Sequence, residues 1–500
     1  MIISVETALL LTLLIPLIAA AVIPFFGKNP NLREGITLTA ALLLLWIVAQ
    51  LVMIVGSGAR PELLIGTFAG DFDIRLRLEP LGATFAAIAS SLWVINSLFS
   101  IGYMRGNKEK NQTRFYMCVA IAISAVMGIA GASNLITLFI FYEALTLSTF
   151  PLVTHKGDAN AKRGGTIYAL ILMGTSLGLL LPAVISTQVI AGTTEFMVGG
   201  VFPEGTSLVV TSVLLFCFAF GIGKAALMPI HPWLPNAMVA PTPVSALLHA
   251  VAVVKAGVFS ILKVVTYTFG PALAAATPMS TTLSWVAAIS IVLASLIALR
   301  QDNLKARLAY STVSQLAYVT FGAMLAAPAA IMGAGLQIVM HAWGKITLFM
   351  CAGAIYTVAH RTNVSQLDGL GRSMPWVFAA FLLGALSIIG APPLGGSWPK
   401  FLLMLGALDS GKAILLAALI VSSILNVIYL VPIAVRGFMK PPADAKADAK
   451  IKALRREHRW VIIPPVITAF GAFLLFFAAG DIMNFLAPIT ATPITVEGGF

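Results

Sequence analysis

The chain has 500 residues, 59% of them hydrophobic and only 10% charged, with a formal net charge of +12. Soluble domains carry roughly 25% charged residues, so the composition excludes an ordinary soluble enzyme and indicates an integral membrane protein. Apolar runs of about 20 residues recur throughout, which indicates an all-α polytopic protein rather than a barrel of about 10-residue alternating strands.

About fourteen spans follow from runs of membrane length. Span 1 is predicted over Ala8–Phe25 and span 2 over Ile36–Ile54. The segment Gly56–Pro80 contains FDIRLRLEP, whose alternation predicts a short hairpin outside the membrane. Span 3 covers Ala83–Ile101, span 4 Phe115–Ala130, span 5 Leu135–Val153 and span 6 Gly165–Ile190. Span 7, Ser207–Ala240, is interrupted at Pro229–Pro235, where Pro229 and Pro232 free backbone carbonyls. Spans 8 to 11 are predicted over Val244–Phe269, Leu283–Leu299, Leu308–Leu325 and Ala329–Val358. Span 12, Trp376–Leu408, is interrupted at GAPPLGGSWPK, which holds Pro392 and Pro393. Span 13 is Ile414–Val435, and a charged linker, Lys440–Arg459, leads to span 14 at Val461–Phe485.

The basic residues check this count. Loops after odd-numbered spans hold Lys28, Arg33, Arg105, Lys156, Arg300, Arg361 and the cluster Arg436–Arg459, among others, whereas the opposite loops hold only Arg60, Arg75, Arg77 and Lys412. By the positive-inside rule the basic loops are cytoplasmic and both termini lie outside. The charge is a topology signal, so no nucleic-acid partner is expected. The N-terminal apolar run lacks a basic flank before it and reads as a first span rather than a cleaved signal.

Spans 7 and 12, both broken, stand five apart, so the second unit is inverted relative to the first. Paired discontinuous helices in inverted repeats mark sites near mid-membrane in transporters. The predicted organisation is residues 1–114 as an N-terminal unit with the hairpin, 115–270 as a first five-helix repeat, 271–436 as its inverted counterpart, and 437–500 as linker and last span.

Ionisable residues inside spans are rare and costly, and their default reading is functional. Here they are Glu143, Lys224, Lys255, Lys263, Lys345 and Lys400, with His249 and His341 in spans and His231 in the first break. One carboxylate against several amines offers no metal site, and Cys118, Cys217 and Cys351 are scattered in apolar runs without CxxC spacing. No Walker or Rossmann glycine pattern appears, so no nucleotide or redox cofactor is expected. Amines do not ligate sodium, but buried ones relay protons once desolvation brings their proton affinity towards neutrality.

Glu143 needs a cation, and Lys224 is the expected partner. Such a pair at 4 Å is worth roughly 4 kcal/mol at an effective dielectric near 20, enough for a passing charge to open it. Lys255 follows His249 by six residues, about 240° around an ideal helix, so the two share a face only if the helix is distorted. Lys263 lies eight beyond Lys255 and either snorkels or joins the path. Gln337, His341 and Lys345 form one polar stripe at i, i+4, i+8, matched on span 10 by Ser311, Ser314, Gln315 and Tyr318. Lys400 follows the second break and reads as a terminal proton site. His231, between two prolines, either caps freed carbonyls or relays.

Five segments, FYEALTLSTFPLV, GKAALMPIHPWLPNAMVAPTPVSALLHAVAVVKAGVF, DNLKARLAYSTVSQLAYV, MHAWGKITLFM and GAPPLGGSWPKF, resemble the antiporter-like membrane subunits of Mrp sodium/proton antiporters, respiratory complex I and membrane-bound hydrogenases. By eye the Mrp D-type subunit is nearest. The resemblance implies a gating pair at Glu143 and Lys224, a central lysine at Lys255, a histidine at His341 and an exit at Lys400. It also implies partners: other membrane subunits, in a multi-pass protein of a prokaryotic inner membrane.

The expected function is therefore proton translocation within a hetero-oligomeric complex, coupled to sodium exchange or to a redox arm on other subunits. A stand-alone solute transporter is the alternative, with Trp233 and Trp398 beside the breaks as its candidate pocket lining.

Overall fold

The computed structural model describes residues 4–68, 72–441 and 445–490. Fourteen principal helices run through it: α1 (Val5–Val22), α2 (Pro30–Gly56), α3 (Pro80–Gly106), α4 (Gln112–Gly131), α5 (Leu135–Val153), α6 (Ala159–Ala191), α7 (Leu208–Gly221), α8 (Thr242–Phe269), α9 (Pro278–Arg300), α10 (Leu304–Leu325), α11 (Pro328–Ala359), α12 (Pro375–Ile389), α13 (Leu416–Met439) and α14 (Arg459–Phe477). Among the described residues, eleven segments are long and apolar enough to cross a membrane. The other three are α7 and α12, which are the first halves of broken spans, and α10, whose polar stripe lowers its hydropathy. The polytopic all-α architecture is thus the one its hydropathy predicts.

The loops sort cleanly into two ends. At one end β1 (Glu62–Phe68) pairs antiparallel with β2 (Phe72–Arg77). The hairpin is tied to the α4–α5 turn by Ser133 N to Arg75 O at 3.1 Å, and that turn to the α6–α7 segment by Phe196 N to Ser133 O at 2.8 Å. The same segment reaches the end of α8 through Met197 N to Tyr267 O at 3.0 Å. At the other, basic end, Leu304 N bonds Thr362 O at 2.9 Å and Gly369 N bonds Arg436 O at 3.2 Å. Even loops meet even loops and odd meet odd, as an alternating bundle requires. It follows that α7 and α12 run in opposite directions.

Two boundaries differ from expectation. The linker contains a helix, Ala445–Glu457, and the last span divides at Ala478 into Arg459–Phe477 and Ala479–Leu486. The expectation for the termini falls on residues 1–3 and 491–500, which lie outside the described residues.

Burial follows charge. Helix α8, which carries His249, Lys255 and Lys263, is wholly enclosed, and α11, which carries His341 and Lys345, nearly so. The lateral surface is apolar, with Ile18, Leu42, Leu170, Val209, Ile424 and Phe470 exposed on outer helices, as a lipid-facing surface demands.

The first break begins earlier than its prolines. At Ile222 (φ −79°, ψ 59°) the chain leaves α7, and cis Met228–Pro229 follows only later. The cause is close packing against the π-turn Ser176–Leu180 of α6. A Cβ on Gly221 would lie 2.5 Å from Leu180 N, and one on Gly223 2.3 Å from Thr175 Oγ1. The second break falls where the prolines predict it. Helix α12 ends at Ile389, Gly390 takes φ +88°, which only glycine adopts without strain, cis Pro392–Pro393 follows, and helix resumes at Ser397–Asp409.

Candidate functional site

Helix α5 starts at an N-cap, Asn134, whose side chain accepts from Thr137 N at 2.7 Å. That cap holds Tyr142, Glu143 and Thr146 in place two to three turns on. Lys224 sits in the short 3₁₀ turn Gly223–Ala225 inside the first break and is fully buried. Its Nζ donates to Tyr142 O at 2.8 Å and to Thr146 Oγ1 at 2.7 Å, and stands 3.1 Å from the Tyr142 ring centroid.

The expected contact with Glu143 is not made. No ion pair joins Glu143 to Lys224 within 4.0 Å among the described residues, and both Glu143 oxygens are buried without a hydrogen-bond partner. The reason is helical phase. Tyr142 and Thr146, four apart, share a face, whereas Glu143 is rotated by about 100° from Tyr142. The break delivers Lys224 to the first face.

The freed carbonyl of Gly223 accepts from Trp233 Nε1 at 3.0 Å. Trp398 Nε1 likewise donates to Phe476 O at 3.1 Å. Both indoles are engaged with backbone. His231, half-buried, leaves Nδ1 without a partner and places its ring 6.2 Å from that of Tyr310.

Gly257 on α8 lets the break approach, because a Cβ there would lie 2.2 Å from Ala225 N and 2.3 Å from Lys224 C. Overpacking of this kind costs about 1–3 kcal/mol. Gly257→Ala is expected to lower the thermal stability of the protein and to displace Lys224. A melting curve identical to wild type would show that the break relaxes freely.

Within α8 a π-turn, Leu247–Val251, carries His249, and Ala252 (φ −105°, ψ −84°) interrupts the helix. The distortion needed to relate His249 to Lys255 is therefore present between them. His249 has no hydrogen-bond partner at either nitrogen and packs its ring 4.6 Å from that of Phe349. Beyond the kink Lys255 Nζ meets His341 Nδ1 at 2.5 Å, joining α8 to α11, while His341 Nε2 has no partner.

The α11 stripe lands where its spacing points. Gln337 Nε2 donates to Gln315 Oε1 at 2.9 Å, and Lys345 Nζ donates to Ser311 Oγ at 2.6 Å. Ser311 is joined at 2.8 Å by Tyr429 Oη, which also contacts Asn426 Oδ1. At the second break Lys400 Nζ donates to Ile389 O at 2.7 Å and to Ser423 Oγ at 3.0 Å, with the Tyr318 ring centroid at 5.2 Å. A carbonyl freed by the break thus helps hold the lysine.

Lys263 does not snorkel. It is fully buried and pairs with Glu79 at 2.7 Å, while donating to Ala132 O at 2.7 Å. Glu79, the residue that caps α3, lies beside the hairpin and gave no signal in hydropathy.

The structure therefore brings together Lys255 with His341, and Gln315 with Gln337; Lys400 bonds a polar strip of α13 directly, and Lys345 reaches the same strip through Ser311. Ser423, Asn426 and Tyr429 were missed in the sequence, although their spacing of three residues marks one face of an apolar helix. Among the described residues no group of three or more His, Cys, Asp or Glu side chains gathers as a metal site would require.

The transmembrane model of the NADH:quinone oxidoreductase/Mrp antiporter family matches residues 132–426, more than half of the chain. This protein belongs to that family. NADH-quinone oxidoreductase subunit N of Desulforudis audaxviator (strain MP104C) is 30% identical over 420 residues, which cover 81% of this chain and 82% of the relative. NAD(P)H-quinone oxidoreductase subunit 5, organellar chromatophore 1, of Paulinella chromatophora is 29% identical, over 68% of this chain and 53% of that longer relative. Among solved structures, a chain of the Mrp complex from Dietzia sp. DQ12-45-1b superposes with a TM-score of 0.85 at 20% identity, covering 98% of this chain and 97% of that one. A chain of the membrane-bound sulfane sulfur reductase, an archaeal respiratory membrane complex, does so with a TM-score of 0.79 at 21% identity, covering 97% and 99%. The matched family region contains both helix breaks and Lys224, Lys255, His341 and Lys400.

Proposed function

We propose that this chain is the proton-moving subunit of a multisubunit membrane complex in a prokaryotic inner membrane, with the basic end cytoplasmic. One observation carries the reading. Four fully or nearly fully buried lysines, Lys224, Lys255, Lys345 and Lys400, lie on enclosed helices and breaks, each held by neutral oxygens or an imidazole rather than by a carboxylate. A buried amine without a counter-ion exchanges its proton far more readily than a salt-bridged one.

The side chains divide the work. Lys224 holds a proton against Tyr142 O and Thr146 Oγ1, and Glu143, lying close by with free oxygens, is the charge that a conformational change swings towards it. Lys255 and His341 share a single proton-bearing contact at the centre. From there Lys345, Ser311, Tyr429, Asn426 and Ser423 lead to Lys400, and water relays between side chains that do not touch. Trp233 is fully buried against Tyr168 and Trp398 packs against Phe476, so both indoles are engaged within the protein rather than offered to an organic solute. Coupling, to sodium exchange or to a redox arm, is supplied by neighbouring subunits.

The test has two parts. The complex is purified from native membranes in mild detergent and every co-migrating chain is identified. Small membrane subunits alone indicate sodium/proton exchange, and iron–sulphur or quinone-reducing subunits indicate a redox pump. In parallel, Lys224→Met is expected to slow proton movement on the order of a hundredfold, the scale of a lost positioned proton donor. A chain that runs alone and remains active would overturn the subunit reading.

A further inference from the structure

A cavity of about 270 Å³ opens at the basic end, among the ends of α3, α8, α10 and α11. Its walls include Tyr103, Met238, Thr242, Lys305 and Tyr356, with Lys156 and Arg361 at the rim. Such a volume holds roughly nine waters at about 30 Å³ each. Lys305 Nζ donates to Ala240 O at 2.5 Å, just before the start of α8. Seven residues further along α8 from Thr242, about 10 Å, stands His249, whose two ring nitrogens have no hydrogen-bond partner.

Glu109, in the α3–α4 loop, is anchored beside this cavity: its N–H donates to Met104 O at 3.0 Å, one residue from the wall residue Tyr103. Its charge interacts with Lys156, Lys305 and Tyr103. It makes no ion pair within 4.0 Å among the described residues. Burial raises its proton affinity above the ordinary carboxylate range, and the two lysines oppose that rise. A half-buried carboxylate set among cations that do not bind it is poorly explained as a structural lock.

We infer that this cavity is the cytoplasmic mouth of the proton path, that Glu109 is the carboxylate that collects protons there, and that Lys305 positions the water leading to His249. The inference rests on the proposed proton-moving role. A proton from bulk water binds a Glu109 oxygen; it leaves to cavity water as the carboxylate re-forms, and the water passes it to a free His249 nitrogen. Lys305, fixed on the Ala240 carbonyl, keeps the remaining protons of its ammonium directed at cavity water. Tyr103, Lys156, Tyr356 and Arg361 are the other titratable groups facing this space.

The intact complex in sealed vesicles, with the basic side facing the assay medium, tests this. Glu109→Gln is expected to slow proton uptake about tenfold, the scale of a lost focusing charge. The loss should be larger at alkaline than at acidic pH, where protons are plentiful, and Glu109→Asp should restore most of the rate. Met238→Cys, lining the cavity, should react with a water-soluble thiol reagent only from the basic side, and the adduct should block uptake. Lys255→Met is run alongside. If it blocks uptake while Glu109→Gln leaves both rate and pH profile unchanged, the mouth is elsewhere and the proton-moving role stands. If Lys255→Met also conducts normally, both readings fall. Failure of Met238→Cys to react in assembled complex overturns the hydrated mouth independently of folding defects in the other variants.

Discussion

Lys255→Met in the assembled complex is expected to slow proton movement on the order of a hundredfold without loss of assembly. Lys255 is fully buried, and its Nζ is placed by one contact, His341 Nδ1 at 2.5 Å. Methionine fills nearly the same volume and cannot carry a proton. Lys255 makes no ion pair within 4.0 Å among the described residues, so its replacement leaves no uncompensated buried charge, and the fold should tolerate the change. The two effects therefore separate function from structure. His341→Ala on the same background should add little, because both residues hold one proton-bearing contact. Proton uptake by vesicles, with complex abundance on a native gel, reads both outcomes. Normal uptake with Lys255→Met would place the path outside this helix.

Glu79→Leu is expected to destabilise the protein by about 3–5 kcal/mol, the usual cost of leaving one partner of a buried ion pair alone. Lys263 has no exposure, and the Glu79 side chain has 10%. The pair bolts α8 to the start of α3 beside the hairpin, with Ala132 O as a third point. The double variant Glu79→Leu, Lys263→Met should recover most of the loss, since no uncompensated charge remains. Thermal unfolding of the purified complex distinguishes the cases. Equal melting points for the single and double variants would mean that Lys263 finds another partner. Full proton flux in the double variant is expected, because the proposed path runs through Lys255, Lys345 and Lys400 instead. A flux defect in a stable double variant would bring Lys263 into the path.

Much of the architecture could be read in one dimension. Apolar run lengths located the spans, and the uneven basic loops set their alternation, which the bonding of even loops at one end and odd loops at the other matches. The stripe Gln337, His341, Lys345 was legible because i+4 spacing on a straight helix survives folding. The polar residues of α13 were equally periodic but neutral, so they did not stand out against an apolar background.

What composition, hydropathy and spacing determined was the membrane class, the number of crossings, the existence of two breaks and the identity of the buried ionisable groups. These are local quantities, since a lysine in an apolar run is conspicuous wherever the run packs. Tertiary structure decided the partners. It turned Lys224 to Tyr142 and Thr146 instead of Glu143, joined Lys255 to His341, gave Lys263 to Glu79, and began the first break at Ile222 rather than at Pro229. Each of these depends on helix rotation and on close contacts between distant segments, such as glycines 221, 223 and 257 against α6 and the break. A π-turn in α8 shifts the phase of everything beyond it by a fraction of a turn. Side-chain pairing is sensitive to that fraction, whereas the count of spans is not.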